Sequence, residues 1–248
     1  TVDSVSLNRF GGTSLLPAVN TLPGIRMEER SPGSYRFSIR GSTLRSPFGV
    51  RNVKVYLNDL PFTDPGGNTY LHLLDLSSIG SVEIMKGPGG SLYGAGTGGV
   101  LLLRSPTTRP GRQNLTLSTT LGSYGSLLYG LRYATGGTRS NSMVQYNHQQ
   151  SDSYREQSAM QRDMLQYLGS FALNERSTLT AQVLLADLSY ETPGGLTKAQ
   201  FDAQPAQARP PAGPSPGAVE QEAAVNNKTV YGGVTHSYEW SSKWTNQT

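Results

Sequence analysis

Residues 81–105 read SVEIMKGPGGSLYGAGTGGVLLLRS. Val82 and Ile84 alternate with polar neighbours, which is the period-two signature of a strand. Glycines follow at 87, 89, 90, 94, 96, 98 and 99, and the chain then returns to an apolar run, Val100 to Leu103. Glycine at this density permits positive φ and close backbone approach. The stretch therefore predicts a strand, a sharp turn and a second strand. Gly94, Gly96 and Gly99 also fit the G-x-G-x-x-G pattern of a dinucleotide loop. That site needs a helix after the glycines and an acid about 20 residues on. Here a β-type run follows, no Asp or Glu occurs between Glu83 and Asp152, and no Lys-Ser/Thr closes a phosphate loop. A structural turn is the better reading.

Composition narrows the class. Only 15% of residues are charged, and 13 tyrosines outnumber 6 phenylalanines. The absence of cysteine excludes both a disulfide framework and a thiolate metal site. Apolar runs stop at four residues, so no transmembrane helix, which needs about 20, can form. Low mean hydropathy still suits a membrane β-barrel, whose strands alternate lipid-facing and lumen-facing residues. A net charge of +4 without a clustered basic face gives no sign of nucleic acid.

Two textures divide the chain at about residue 107. Before it, short strands are predicted at 36–40, 53–58, 81–86 and 99–104, with a capped helical turn at 13–19 and a second at 70–76. Segment 105–112, SPTTRPGR, reads as a linker. Beyond it, six segments alternate over about ten residues each: 114–122, 127–135, 141–149, 163–173, 178–188 and 228–238. Leu127, Tyr129, Leu131 and Tyr133, for example, share one face, with Gly130, Arg132 and Ala134 opposite. Leu184 and Leu188 blur the pattern in the fifth segment. Short connections (136–141, 174–177, 240–243) alternate with long ones (151–162, 190–227), as in outer-membrane barrels. Tyr124, Tyr133, Tyr146, Tyr190, Tyr238 and Trp240 fall near strand ends, where aromatic girdles sit. A soluble β-sandwich is the competing architecture. The Pro/Ala-rich stretch 205–217 is predicted to be mobile.

Five pieces in fixed order carry a family resemblance: Leu22-Pro23-Gly24-Ile25; Ile39-Arg40-Gly41; Val53-Lys54-Val55-Tyr56-Leu57-Asn58-Asp59-Leu60-Pro61; Val82-Glu83-Ile84-Met85-Lys86-Gly87-Pro88; and Leu92-Tyr93-Gly94 with Gly98-Gly99-Val100. Together they resemble the plug domain of TonB-dependent outer-membrane receptors. The family usually has Arg at Lys86 and Gly at Asp59; a lysine cannot make an arginine's forked contact. The resemblance implies an α+β plug domain at 1–107, N-terminally truncated. It is followed at 108–248 by about six antiparallel transmembrane strands, a fragment of a roughly 22-strand plugged β-barrel. No leader precedes Thr1, which predicts a mature or truncated chain.

The function implied is energy-coupled uptake of a scarce ligand across the outer membrane of a Gram-negative bacterium. The ligand expected is a ferric chelate or siderophore. The partners expected are a TonB-type protein, reached through a segment upstream of Thr1, and outer-membrane lipid. In receptors of this kind the plug turns that match 26–34, 43–51 and 62–70 meet the ligand, so the resemblance points to Arg30, Arg45, Phe48, Arg51, Asn68 and Tyr70. Arginine suits an anionic chelate because it forks around carboxylates and oxyanions. Arg40 and Lys86, with Glu83, lie in motifs that by resemblance face the barrel wall; a local Glu83–Lys86 pair is the competing use of that lysine. Loop 190–227 is similar to the third extracellular loop of the ferric-citrate and siderophore branch. A glycan-uptake partner of a surface lipoprotein, or a surface protein that binds without import, is the alternative. His72, His148 and His236 stand apart without metal-ligand spacing, and no catalytic pair or cofactor motif is present, so no enzyme is read here.

Overall fold

The computed structural model describes residues 2–3, 6–7, 9, 14–31, 34–42, 49–94, 96 and 98–248, with Arg30 and Ser31 described by backbone alone. The chain forms two compact units, 1–106 and 107–248.

In the first unit, β1 (Val2–Asp3), β4 (Val53–Leu57), β5 (Leu60–Pro61), β6 (Ser81–Lys86) and β7 (Gly99–Arg104) make one sheet in the order β1-β6-β7-β4-β5. Only β4 and β7 run parallel, with Val53 opposite Gly99 and Leu57 opposite Leu103. Central position explains the VLLL run. A strand flanked on both sides and covered on both faces reads as continuously apolar, and Val100 through Leu103 are all buried. On β4 the cover is one-sided in effect: Val53, Val55 and Leu57 are buried, while Lys54 and Tyr56 are half-buried. Val82, Ile39, Leu71, Leu73 and Ile79 complete this core.

The glycine stretch joins β6 to β7 as an antiparallel hairpin, with Lys86 opposite Gly99. Its loop holds a one-turn helix, α2 (Gly90–Tyr93), and no helix follows the glycines, so the nucleotide pattern has no structural context. An earlier turn, α1 (Leu16–Val19), carries Pro17 in its first turn, and Ser14 Oγ accepts the Leu16 amide at 3.2 Å. The second predicted helical turn is two 3₁₀ turns instead, Leu71–Leu73 and Leu76–Ser78. Asp75 caps the second of them by accepting Ser77 N at 2.9 Å.

A separate hairpin corrects the reading of 26–34 as a turn. β2 (Ile25–Ser31) pairs with β3 (Ser34–Ile39), and the buried Met27 lies opposite the buried Phe37. Arg26, Glu28 and Glu29 gave the segment the look of a solvated loop. The alternation of Arg26 and Glu28 with Ile25 and Met27 is that of a half-buried strand.

Two residues, Asn58 and Asp59, turn β4 into β5 with φ of 50° and 73°. Both central φ values are positive, as in a type I′ turn, which favours Asn-Gly. Asp59 therefore carries left-handed strain, offset in part by its ion pair with Arg104 Nη1 at 2.5 Å. Both partners are about half exposed, and such pairs contribute about 0–1 kcal/mol. A non-glycine residue in this region costs about 1–2 kcal/mol. Asp59→Gly should therefore leave the first unit equally stable or stabilise it by up to about 2 kcal/mol, read as the urea midpoint. A loss beyond about 1 kcal/mol would mean that the ion pair outweighs the strain.

The second unit is one antiparallel meander of seven strands. They are β8 (Arg112–Leu121), β9 (Leu127–Gly136), β10 (Ser140–Ser151), β11 (Met160–Asn174), β12 (Ser177–Glu191), β13 (Ala224–Ser241) and β14 (Trp244–Gln247). The six alternating segments correspond to β8 through β13, and β14 is a seventh, short strand that they did not include. Register puts Leu115, Tyr133, Val144, Tyr167 and Val183 side by side across five strands, with Leu117, Leu131, Tyr146, Leu165, Leu185 and Val230 in the neighbouring row. This face is apolar, and many of its large side chains are exposed, among them Leu117, Leu131, Val183 and Val230.

The opposite face is polar at mid-height: Gln145, Asn147, Gln166 and Gln182 are buried there. Gln145 Nε2 donates to Asn147 Oδ1 at 2.5 Å, and Gln182 Nε2 to the Tyr231 hydroxyl at 3.3 Å. Apolar-out, polar-in alternation of this kind belongs to a membrane barrel wall. Leu184 and Leu188 blur the pattern because they lie on this second face with Met164, where it turns apolar toward the long loops; all three are fully buried.

The 205–217 stretch is not a free segment. Arg209 N donates to Pro193 O (2.7 Å), Ala218 N to Arg209 O (2.8 Å) and Arg209 Nη2 to Pro216 O (2.9 Å). Proline removes donors but leaves its carbonyls as acceptors, and the loop uses them. A capped helix, α3 (Lys198–Ala203), precedes it: Thr197 and Gln200 form a reciprocal capping box.

Candidate functional site

Strand register defines the ends of the five-stranded sheet. β4 and β7 begin, and β6 ends, at one end: Gly99 faces both Val53 and Lys86. Arg51 precedes β4 there. The 62–70 turn returns to the same end, where Thr69 bridges to Val50. The turn is built on side-chain hydroxyls. Thr63 Oγ1 accepts the Val55 amide (2.8 Å) and meets Thr69 Oγ1 (2.8 Å), and both threonines are buried. Asp64 Oδ1 accepts the Asn68 amide at 2.9 Å and so closes the DPGGN loop.

Asn68 is thereby held firmly, and its Oδ1 accepts Arg51 Nε at 2.6 Å. The guanidinium is anchored through one nitrogen. Its two terminal nitrogens make no hydrogen bond or ion pair among the described residues, and the side chain is exposed. Tyr70, 40% exposed, stands two residues from Asn68 with its ring edge-on to buried His72 at 5.6 Å. An oriented guanidinium held by an amide is suited to an anion.

The other sequence-derived ligand residues are less informative. Arg45 and Phe48 lie outside the described residues, and Arg30 lies on β2 with its side chain outside them. Glu83 and Lys86 do not pair: three residues apart on a strand, they point to opposite faces. Lys86 Nζ instead donates to Pro23 O at 2.6 Å and ties the Leu-Pro-Gly-Ile segment to β6. Arg40 sits at a turn with φ of 51°, its amide on Gly24 O at 2.7 Å. Its exposed side chain makes no ion pair within the described part of this unit.

Sequence reasoning missed the opposite end of the sheet. Asn58 Oδ1 accepts Ser105 N (2.8 Å) and Asn58 Nδ2 donates to Ser105 Oγ (2.9 Å), beside the Asp59–Arg104 pair. The Asn-Asp pair in the turn was the available signal. Among the described residues no three of His, Asp or Glu gather as a metal site, and no helix is long and apolar enough to cross a membrane, which does not bear on strands.

The TonB-dependent Receptor Plug Domain family matches residues 1–100. Among solved structures the chain is similar to the ferric citrate transporter FecA in its unliganded form, with a TM-score of 0.73 and 19% identity over 93% of this chain and 35% of that one. It is similar also to the ferric yersiniabactin uptake receptor FyuA from Yersinia pestis, with a TM-score of 0.72 and 15% identity over 96% and 38%. A copper transporter, OprC, matches with a TM-score of 0.64 and 16% identity over 90% and 32%. The chain spans about a third of the length of each. At these identities the likeness speaks for the fold, and the family match gives the class of residues 1–100. Residues 1–100 are thus a TonB-dependent receptor plug domain, and the antiparallel strands that follow share the fold of the matched receptors.

Proposed function

We propose that this chain serves an outer-membrane receptor that takes up a ferric chelate with energy from a TonB-type protein, contacted upstream of Thr1. In this reading residues 1–107 are the plug and 108–248 part of the lipid-facing barrel wall. Arg30, Arg45, Phe48, Arg51, Asn68 and Tyr70 lie toward the ligand, and Arg40, Glu83 and Lys86 toward the wall. The observation that carries the ligand class is the anchored Arg51, whose terminal nitrogens are left to an anion while its Nε donates to Asn68 at 2.6 Å. FecA and FyuA, named for ferric citrate and ferric yersiniabactin, favour an iron chelate; OprC, named a copper transporter, shows that the fold alone does not select the metal.

The test is titration of the receptor with ferric chelates. Arg51→Ala should weaken binding by about 1.5–3 kcal/mol, the range for hydrogen bonds to a charged group. Asn68→Ala should lose less, since it frees the guanidinium without removing it. Unchanged affinity in the combined Arg30, Arg45 and Arg51 alanine variant would take these turns out of the site.

A further inference from the structure

Three loops leave the same end of the seven-stranded sheet: 122–126 between β8 and β9, 152–159 between β10 and β11, and 192–223 between β12 and β13. They are bonded to one another in series. Asp152 N donates to Tyr124 O at 2.9 Å, and Tyr154 meets Tyr124 edge-on at 5.7 Å. Arg155 reaches across to the long loop and donates through both Nε (3.2 Å) and Nη2 (2.9 Å) to the single carbonyl of Gln207. Around that fork, Glu156 N donates to Ala206 O (2.8 Å) and Glu156 Oε2 accepts Ala208 N (3.3 Å). At the strand ends, Ala159 and Glu191 exchange bonds of 2.8 and 3.0 Å.

Beyond the proposed uptake role, and independent of which ligand is carried, we infer that these three loops form one continuous body whose shape is set before any ligand arrives, with Arg155 as the positioning residue that couples the 152–159 loop to the long one. Two features support a coupled body over three separate lids. First, the fork ends on a carbonyl flanked by Ala206 and Ala208, whose backbone groups are themselves bonded to Glu156; the contact is a short strip and not a point. Second, the long loop is braced internally by Arg209 on Pro216 O and by Ala218 N on Arg209 O, so force applied at Gln207 is carried into 209–218. The Arg155 guanidinium is partly desolvated, and that burial lowers its pKa from the ordinary arginine value. Partial desolvation also strengthens its bonds to the carbonyl.

Hydrogen exchange on the full receptor tests the coupling. In Arg155→Ala the amides of Glu156 and Ala208 should exchange about 10-fold or more faster, the scale set by loss of a charged hydrogen bond. The decisive amides are Arg209 and Ala218, which are bonded to Pro193 O and Arg209 O and not to Arg155, and which should accelerate with them. Arg155→Lys keeps the charge but cannot fork, so it should restore less than half of the protection. Acceleration confined to Glu156 and Ala208 would overturn the proposal. A second measurement does not depend on that variant. Spin labels at Asp152→Cys and Phe201→Cys, both exposed positions in a chain without cysteine, should give one narrow distance in the ligand-free receptor. A broad or multiple distribution there would show independent lids.

Discussion

Replacing Gly99 by valine should unfold the first unit or bring it close to unfolding. Gly99 starts β7 with φ of 141°, in a region that side chains rarely adopt. A Cβ at this position would run into the carbonyl oxygen of Met85 on the paired strand, and would stand 2.9 Å from Ile39 Cδ1. The carbonyl is held by the β6–β7 ladder and cannot swing away without breaking register. Backbone strain costs about 1–3 kcal/mol, and overpacking adds about 1–3 kcal/mol. The sum, about 2–6 kcal/mol, is a large share of a domain's stability. Gly99→Ala meets the same carbonyl and should lose most of that amount. Limited trypsin digestion reads the result: cleavage after Lys86 and Arg104, at the two ends of the hairpin, should accelerate sharply. Wild-type resistance in Gly99→Val would show that the close approach at the hairpin root is not required.

Val183→Arg separates the membrane wall from a soluble sheet. Val183 lies mid-band on β12 between Tyr167 and Gly232, and is 44% exposed. On a water-facing sheet, an exposed valine-to-arginine change falls within about 0.5 kcal/mol of neutral. In hydrocarbon at the bilayer midplane it costs about 2–4 kcal/mol. Ser189→Arg, on the same face but three register rows nearer the loops, should cost only about 0–1 kcal/mol, as at an interface. Urea unfolding of the receptor in lipid vesicles measures both. Equal, small losses at the two positions would refute a lipid-facing band. The row between them is consistent with an interface: Asp187 pairs with Lys228 at 3.2 Å, and Asp163, its cross-strand neighbour, accepts from Tyr146 at 2.6 Å.

The candidate site divides along the same line as the fold. That residues 62–70 turn was plain from Asp-Pro-Gly-Gly-Asn, and the resemblance placed Arg51, Asn68 and Tyr70 on two turns expected to face a ligand. The bond between Arg51 and Asn68 did not, because it joins side chains 17 positions apart whose approach depends on the buried Thr63–Thr69 contact. The Glu83–Lys86 pair, the competing use of that lysine, does not form; strand geometry separates the two, and the lysine finds Pro23 O, 63 residues away.

The alternating strands from 112 to 241, the glycine hairpin and the two-part organisation could all be read from the residues alone. Each is a local consequence of covalent geometry: side chains alternate at period two on any strand, and glycine alone relieves the steric limit on positive φ. Other features required the assembled chain. β2 hid behind its charges until Met27 and Phe37 met. β4 and β7 became parallel neighbours although the whole of β5, β6 and the 3₁₀ turns lies between them. Arg155 found the carbonyl of Gln207 across 52 residues. Those pairings are chosen by which arrangement covers the apolar run of β7 on both sides and leaves no buried backbone group without a partner, a condition on the whole chain that no single segment carries.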